Sequence, residues 1–224
     1  MSNLQYDISI NPRQQLKSFG LTHFQYQEGD NMGMALALAS LFPIFLIVAE
    51  ASIVLGRREI AGILLLLGQL LNEAFNLVLK LVIREDRPNI QLGDGYGMPS
   101  SHSQFMGFFV FYMIVYLERH ISTNVVHKRV TQIGAFVLGI SVTFSRIYLG
   151  YHTIWQVLVG AVVGVGFGVV WYLFVERVLR PSGLLDLILA TRLCRWLLIR
   201  DSRYISDVAL AEYNLSTTTK SKQL

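Results

Sequence analysis

Residues 145–175 read SRIYLGYHTIWQVLVGAVVGVGFGVVWYLFV. From residue 153 onward this stretch is almost entirely apolar, and it has the ~20 residues that a helix needs to cross ~30 Å of hydrocarbon. The residues just before it include Ser145, Arg146 and His152. The stretch therefore predicts a membrane-spanning helix that is preceded by a polar cluster.

Comparable apolar stretches recur along the 224 residues, of which 53% are hydrophobic and 15% charged. This composition, with a mean hydropathy of +0.46, is typical of a chain that lies in a bilayer. We predict an all-α, polytopic transmembrane helical bundle of about five spans, at residues 33–55, 60–80, 100–118, 130–149 and 153–175. The expected segments are a polar N-terminal segment, a transmembrane domain, and a cytosolic interfacial helix with a tail, at 1–32, 33–180 and 181–224.

Both ends of the chain lie outside the predicted spans. The first 30 residues are polar and contain no apolar stretch that ends in a small-residue cleavage site. We therefore expect no cleavable signal peptide, and insertion directed by the first span. Residues 184–199 mix apolar side chains with Asp186, Arg192 and Arg195, a pattern that favours an interfacial helix. Cys194 is the only cysteine, so no intrachain disulfide is expected.

The basic residues predict the orientation of the spans. With five spans, 13 of the 19 Lys and Arg residues face the side opposite the N-terminus. They are Arg57, Arg58, Arg119, Lys128, Arg129 and every Lys or Arg from Arg177 onward. By the positive-inside rule that side is cytosolic. No nucleic-acid-binding pattern accompanies the net charge of +4, so we expect no nucleic-acid partner.

The same span assignment brings the polar clusters to one face. Lys80 ends the second span, His102 opens the third, Arg146 ends the fourth and His152 opens the fifth. Unrelated polar residues would be scattered between the two faces. We therefore predict a single site on the face opposite the cytosol.

Three cations of this face form a candidate phosphate cradle. Lys80 and Arg146 lie at the ends of predicted spans, and Arg87 lies in the loop that follows the second span. Arginine binds phosphate oxygens two at a time, and lysine supplies a point charge. The alternative for Lys80 and Arg87 is a basic cap where a helix leaves the membrane.

Serines and a histidine open the third span. Ser100 and Ser101 follow a proline directly before the apolar run, which is a helix start signal. The unbonded N–H groups of such a start point at an anion, and the hydroxyls would supplement them. We interpret His102 as a general acid. The alternatives are that Ser100 only caps the helix and that His102 is a spectator.

His152 and Gln156 form the candidate nucleophilic pair. Gln156 lies one helical turn beyond His152, so it can accept a hydrogen bond from one ring nitrogen and leave the other to attack phosphorus. The alternative is that His152 is only an amphipathic anchor at the membrane interface.

The second span carries a polar stripe that ends near the cradle. Glu73 and Asn76 are interpreted as support for the cationic site, and an interhelical hydrogen-bond network is the alternative. Gly160, Gly164 and Gly168 are spaced by four residues in the last span, which favours helix packing over chemistry. We find no convincing metal-ligand cluster and expect no metal or cofactor.

These clusters resemble the signature of the type 2 phosphatidic acid phosphatase superfamily, which includes relatives of vanadium haloperoxidases. That signature is Lys, six residues, Arg-Pro; then Pro-Ser-Gly-His; then Ser-Arg, five residues, His, three residues, Asp. Ser101 stands at the usual glycine and Gln156 at the usual aspartate. With these departures, YGMPSSHSQFM at 96–106 and SRIYLGYH at 145–152 are similar to the dolichyldiphosphatase branch.

The resemblance implies a multi-pass enzyme of the endoplasmic reticulum with a lumenal site. It would convert dolichyl diphosphate to dolichyl phosphate and phosphate, which recycles the carrier for protein N-glycosylation. His152 would form a phosphohistidine and His102 would protonate the leaving group. The transferring phosphoryl group would be held by Lys80, Arg87, Ser100, Arg146 and the backbone N–H of Ser101. No metal is implied, because these cations supply the positive charge.

Three other functions are weighed against this one. A phosphatidate phosphatase of the same superfamily, including a plastid one, would use identical catalytic residues. A transporter or scramblase could use Glu73 and the arginines, but it has no need of His152 and Gln156 in register. A serine hydrolase is disfavoured, because Ser100 and Ser101 are not in a Gly-x-Ser-x-Gly elbow.

Overall fold

A computed structural model describes residues 16–19, 24–89, 92, 95–120, 125–205 and 208–223. A short antiparallel hairpin precedes the helices, with strands β1 (Leu16–Phe19) and β2 (Phe24–Gln27). The helices are α1 (Asn31–Ala39), α2 (Phe42–Arg57), α3 (Ile60–Ile83), α4 (Ser101–His120), α5 (Val125–Tyr148), α6 (Ile154–Phe174), α7 (Leu184–Leu189), α8 (Arg192–Trp196) and α9 (Val208–Gln223). The hairpin was not expected from the polar N-terminal sequence.

Long apolar helices confirm the all-α membrane bundle. In the described part of the chain, four segments are long and apolar enough to span a bilayer: α1 with α2, α3, α5, and α6 continued by a π-helical turn to Leu179. Their outward faces carry exposed apolar side chains, such as Leu55, Val126 and Val162, which is the surface that lipid requires. The protein is a multi-pass membrane protein.

The third expected span, residues 100–118, is helix α4, and it is the central helix of the bundle. It packs against α3, α5 and α6, and Phe105, Met106 and Phe108 are almost fully buried. Its first turn carries Ser103 and Gln104, which are also fully buried. Because neighbouring helices surround α4, its polar first turn contacts protein rather than lipid.

The first span is two helices rather than the one continuous helix expected over 33–55. Pro43 lies in the first turn of α2, where its missing N–H breaks the ladder. The N–H groups of Ile44 and Phe45 both donate to the carbonyl of Leu41, at 3.0 and 3.2 Å. The break places the carbonyl of Ser40 outside the helical ladder, which matters for the site described below.

A ridge of glycines brings α6 against α4. A Cβ atom added at Gly164 would lie 2.0 Å from the carbonyl oxygen of Gln104, and one added at Gly160 would lie 2.6 Å from the carbonyl oxygen of Ser100. The two backbones therefore approach each other as closely as small residues allow. The predicted packing role of these glycines is confirmed.

Gly164→Ala is expected to destabilise the protein by about 1–3 kcal/mol, the usual cost of overpacking a tight contact. Gly166→Ala is the matched control, because a Cβ atom there meets nothing within 4 Å and alanine favours helix. Thermal unfolding of both variants in the same detergent measures the difference. Equal melting temperatures would show that α4 can shift away from α6 without cost.

The C-terminal segment differs from the single interfacial helix expected over 184–199. Two short helices, α7 and α8, are divided at Thr191, whose hydroxyl accepts a hydrogen bond from the N–H of Cys194 at 3.3 Å. Helix α9 was not predicted. Glu212 of α9 accepts hydrogen bonds from Arg57 at 2.7 Å and from Arg200 at 2.9 Å. These contacts attach α9 to the turn between α2 and α3.

Candidate active site

A tight turn at the end of α5 sets the spacing between Arg146 and His152. The N–H groups of Tyr151 and His152 both donate to the carbonyl of Arg146 at 3.1 Å. Gly150 adopts a φ of +75° in this turn, a conformation that glycine accepts without strain. The turn leads into the N-cap of α6 at Thr153, whose side chain accepts from the N–H of Gln156. The nucleophile candidate therefore lies between the ends of two packed helices.

Hydrogen bonds fix the amide of Gln156 and with it the tautomer of His152. The amide nitrogen of Gln156 donates to the carboxylate of Glu85 at 2.9 Å and to the carbonyl of Asp86 at 2.8 Å. The amide oxygen therefore faces Nδ1 of His152, at 3.1 Å. An oxygen only accepts, so Nδ1 carries the hydrogen and the lone pair is on Nε2. Nε2 is the nitrogen that can attack.

His102 is held by the break in the first span. Its Nε2 lies 3.1 Å from the carbonyl oxygen of Ser40, which can only accept a hydrogen bond. Ser40 is fully buried, and its hydroxyl contacts that of Ser145 at 2.8 Å and Nη1 of Arg146 at 3.4 Å. Ser40 thus links the general acid candidate to the cradle.

The three cations of the cradle lie around the two histidines. Lys80 donates to the hydroxyl of Ser101 at 3.3 Å. Arg146 is buried and stacks on the ring of Tyr151, 4.0 Å from its centroid. The electrostatic neighbours of His152 include Arg146, Arg87 and Lys80. An anion placed among these side chains meets positive charge from three different elements.

The start of α4 is tied to the start of α6. The N–H of Ser100 donates to the carbonyl of Gln156 at 3.0 Å, and the hydroxyl of Ser103 contacts that of Ser100 at 3.2 Å. Ser100 is fully buried, whereas Ser101 and His102 are partly exposed. These contacts place the first turn of α4 beside the nucleophile candidate.

Comparison with known proteins shows the family to which the chain belongs. Residues 61–180, which include all three clusters, match the PAP2 superfamily. The chain belongs to this superfamily. Dolichyldiphosphatase 1 of Homo sapiens is 39% identical over 88% of this chain and 86% of its own length. Lipid phosphate phosphatase gamma of Arabidopsis thaliana is 36% identical over 90% of this chain and 91% of its own length.

A solved PAP2 structure agrees with the fold. The phosphatidylglycerolphosphate phosphatase of Bacillus subtilis superimposes with a TM-score of 0.57 and 26% sequence identity. The match covers 66% of this chain and 78% of that chain. Together with the curated relatives, it identifies this PAP2 protein as a phosphohydrolase, as the sequence motifs predicted.

The electrostatics of this PAP2 site keep His152 uncharged. Burial lowers the pKa of His152 to about 3, and the charge of Arg146, followed by those of Arg87 and Lys80, adds to the effect. The hydrogen bond to Gln156 acts in the opposite direction, but an amide carries no net charge. At neutral pH the ring is unprotonated, which is the form that attacks phosphorus.

The polar stripe of α3 contacts the start of α4 rather than the cradle directly. Asn76 donates to the carbonyl of Pro99 at 3.3 Å and to the side chain of Gln104 at 2.8 Å. Gln104 donates in turn to Asn72 at 3.0 Å. Glu73 is half-buried, and its electrostatic neighbour is Lys80. Asn76 therefore positions the turn that carries the serines, and Glu73 is connected to the site through Lys80.

Sequence reasoning missed two residues of the site, Ser40 and Glu85. Glu85 lies in the loop after α3, and its carboxylate accepts a hydrogen bond from Gln156. Ser40 lay inside a predicted span. Pro43 could have indicated the role of Ser40, because a proline leaves a carbonyl of the preceding turn without its helical hydrogen bond. For Glu85 the only signal was its position two residues before Arg87.

Proposed function

We propose that the protein hydrolyses dolichyl diphosphate to dolichyl phosphate and phosphate through a phosphohistidine on His152. The pairing of His152 with a neutral amide carries the proposal. A histidine whose pKa is held at about 3 is a weak base, and a weakly basic nucleophile needs a leaving group that departs readily. The lipid phosphate of an anhydride departs far more readily than the alkoxide of a monoester. The relatives named dolichyldiphosphatase support the same substrate.

In the first step, Nε2 of His152 attacks the terminal phosphorus. The bond from that phosphorus to the bridging oxygen breaks, and dolichyl phosphate leaves with a proton from His102, which enters this step as the imidazolium and leaves it neutral. The phosphorylated ring keeps its hydrogen on Nδ1, where the amide oxygen of Gln156 accepts it. Gln156 therefore stabilises the same tautomer before and after the transfer.

In the second step, water attacks the phosphohistidine. His102 accepts a proton from that water, the N–P bond breaks, and the electron pair returns to Nε2 of His152. Phosphate leaves, and both histidines are restored. Lys80, Arg87 and Arg146 hold the phosphoryl oxygens throughout and stabilise the charge that develops on them.

The positive charge needed for this chemistry is supplied by the chain. Arginine and lysine take the part that Mg²⁺ takes in other phosphoryl transfer enzymes. Ser100, Ser101 and the N–H of Ser101 add hydrogen bonds to the same phosphoryl group. We therefore propose a metal-independent reaction.

We further propose that the enzyme lies in the endoplasmic reticulum membrane with its site in the lumen, where dolichyl phosphate returns to protein N-glycosylation. Lys80 lies near one end of α3, and the turn that precedes α3 at its other end contacts α9 through Arg57 and Glu212. Helix α9 is therefore at the end of the bundle away from the site. The basic residues of the chain concentrate at that same end, which supports its cytosolic orientation.

Asn214, in the sequon Asn214-Leu215-Ser216 of α9, is expected to carry no glycan when the protein is expressed in eukaryotic cells. Glycosylation is lumenal, and the proposed orientation places α9 in the cytosol. Endoglycosidase treatment followed by gel mobility measures the outcome. A shift that disappears in Asn214→Gln would reverse the orientation and place the active site in the cytosol.

The substrate is tested with purified protein and a panel of lipids in the same detergent. The panel contains dolichyl diphosphate, dolichyl phosphate, phosphatidate and phosphatidylglycerol phosphate, and released phosphate is measured with and without EDTA. We expect the highest kcat/KM for dolichyl diphosphate and an unchanged rate in EDTA. A higher kcat/KM for phosphatidate would replace the substrate proposal, and a rate that EDTA abolishes and Mg²⁺ restores would contradict the metal-independent mechanism.

A further inference from the structure

Three side chains form a continuous hydrogen-bonded line from the nucleophile to the loop after α3. Nδ1 of His152 lies 3.1 Å from the amide oxygen of Gln156, and the amide nitrogen of Gln156 lies 2.9 Å from the carboxylate of Glu85. Gln156 is fully buried, while Glu85 is exposed at the outer end of the line. The nucleophile is therefore connected to a carboxylate by one intervening amide.

We propose that Glu85 is a positioning residue of the reaction, whose carboxylate acts on His152 through the amide of Gln156. This inference rests on the proposed function of His152 as the nucleophile. A carboxylate that accepts from the amide nitrogen polarises the amide, so its oxygen becomes a stronger acceptor for the Nδ1 hydrogen. The same contact prevents the amide from turning its nitrogen towards the histidine.

The backbone around Glu85 is built to hold this contact. The carbonyl of Glu85 accepts from the N–H of Gly97 at 2.7 Å, and the carbonyl of Asp86 accepts the second hydrogen of the amide at 2.8 Å. A Cβ atom added at Gly97 would lie 2.8 Å from both terminal atoms of Gln156. The amide is thus enclosed on several sides, and its orientation follows from its partners.

The amide of Gln156 separates the carboxylate of Glu85 from the ring of His152, and this separation affects the basicity of the ring. A carboxylate in direct contact with Nδ1 stabilises the imidazolium and raises the basicity of the ring. Here the ring contacts a neutral amide, and the carboxylate orients that amide from a longer distance. The arrangement keeps the correct tautomer while leaving His152 unprotonated among the cations, which suits an anhydride substrate.

The proposal is tested by exchanging the side chains of Glu85 and Gln156, first one at a time and then together. Glu85→Gln keeps a hydrogen-bonding side chain of the same length but removes the charge, and kcat is expected to fall about 10-fold, within the range for residues that orient catalytic groups. Gln156→Glu places two carboxylates at the position of the 2.9 Å contact, and kcat should fall about 100-fold or more. The double variant restores one carboxylate and one amide, so it should recover about 10-fold or more relative to Gln156→Glu.

The pH profile separates positioning from a merely structural role. The charged or titratable groups around His152 are Arg146 of α5, Lys80 of α3, His102 of α4 and Arg87 of the loop, with Glu85 behind Gln156. In the double variant a carboxylate contacts the ring directly, so the pKa of His152 rises. Protonated His152 cannot attack, so the acidic limb of kcat/KM should move to higher pH.

Asp186→Asn is the control, because it removes an exposed carboxylate in α7. Its rate and pH profile should match those of the parent, and thermal unfolding should show that all variants are folded. A Glu85→Gln variant with the parent's kcat and pH profile would overturn the proposal, as would a double variant no faster than Gln156→Glu. The series is measured on whichever lipid of the panel the parent hydrolyses fastest. Inactivity on dolichyl diphosphate would therefore refute the substrate, not the role of Glu85.

Discussion

His152→Ala is expected to lower kcat by on the order of 10⁴-fold or more, the scale on which covalent hydrolases lose activity when their nucleophile is removed. The physical reason is that the amide oxygen of Gln156 holds the Nδ1 hydrogen of His152 and so leaves its Nε2 lone pair available for attack, with Arg146, Arg87 and Lys80 as electrostatic neighbours of the ring. Phosphate release from the lipid panel measures the loss. Brief reaction with a substrate labelled at its terminal phosphate should also leave acid-labile phosphate on the parent protein and none on the variant.

The matched control is His127→Ala, since His127 is an exposed histidine in the first turn of α5. Its turnover should equal that of the parent. Imidazole added to His152→Ala is expected to restore part of the rate, because the small ring can occupy the vacated position. Substantial turnover by His152→Ala without imidazole would show that water attacks phosphorus directly and that no phosphohistidine forms.

The helical bundle could be predicted from the sequence because a helix needs ~20 apolar residues to cross a membrane. Spans near 60–80, 130–149 and 153–175 correspond to α3, α5 and α6. Successive spans cross the membrane in opposite directions. The C-terminal ends of the second and fourth spans therefore lie on the same face, and Lys80 and Arg146 could be assigned to that face without a structure. Hydropathy was less informative for α4, because a central helix is selected for contact with protein and keeps a polar first turn.

The contacts that complete the site could not be predicted, since they join residues far apart in the chain. His102 is 62 positions from Ser40, and Gln156 is 71 positions from Glu85. Neither contact has a helical period or a fixed motif spacing. Each one depends on irregular backbone, the break before Pro43 in one case and the loop after α3 in the other, and the conformation of such backbone follows from tertiary packing.

Arg146→Lys is expected to lower kcat by roughly 10²–10³-fold, as loss of a preorganised donor to a developing negative charge does elsewhere. Lysine keeps the positive charge but loses the planar fork that binds two phosphoryl oxygens at once. It also loses the stacking of the guanidinium on Tyr151 and the contact of Nη1 with the hydroxyl of Ser40. The variant therefore tests the geometry of the guanidinium separately from its charge. The effect is measured as kcat on the lipid that the parent hydrolyses fastest.

The backbone carbonyl of Arg146 would still hold the N–H groups of Tyr151 and His152, so the nucleophile should keep its position and the fold its stability. Arg84→Lys provides the control, because Arg84 is exposed at the C-terminal end of α3 and its replacement should leave the rate unchanged. If Arg146→Lys retained the parent's kcat, charge alone would be sufficient at this position. The cradle would then act as a diffuse positive field, and the fixed contacts of Arg146 with Tyr151 and Ser40 would serve only to pack the site.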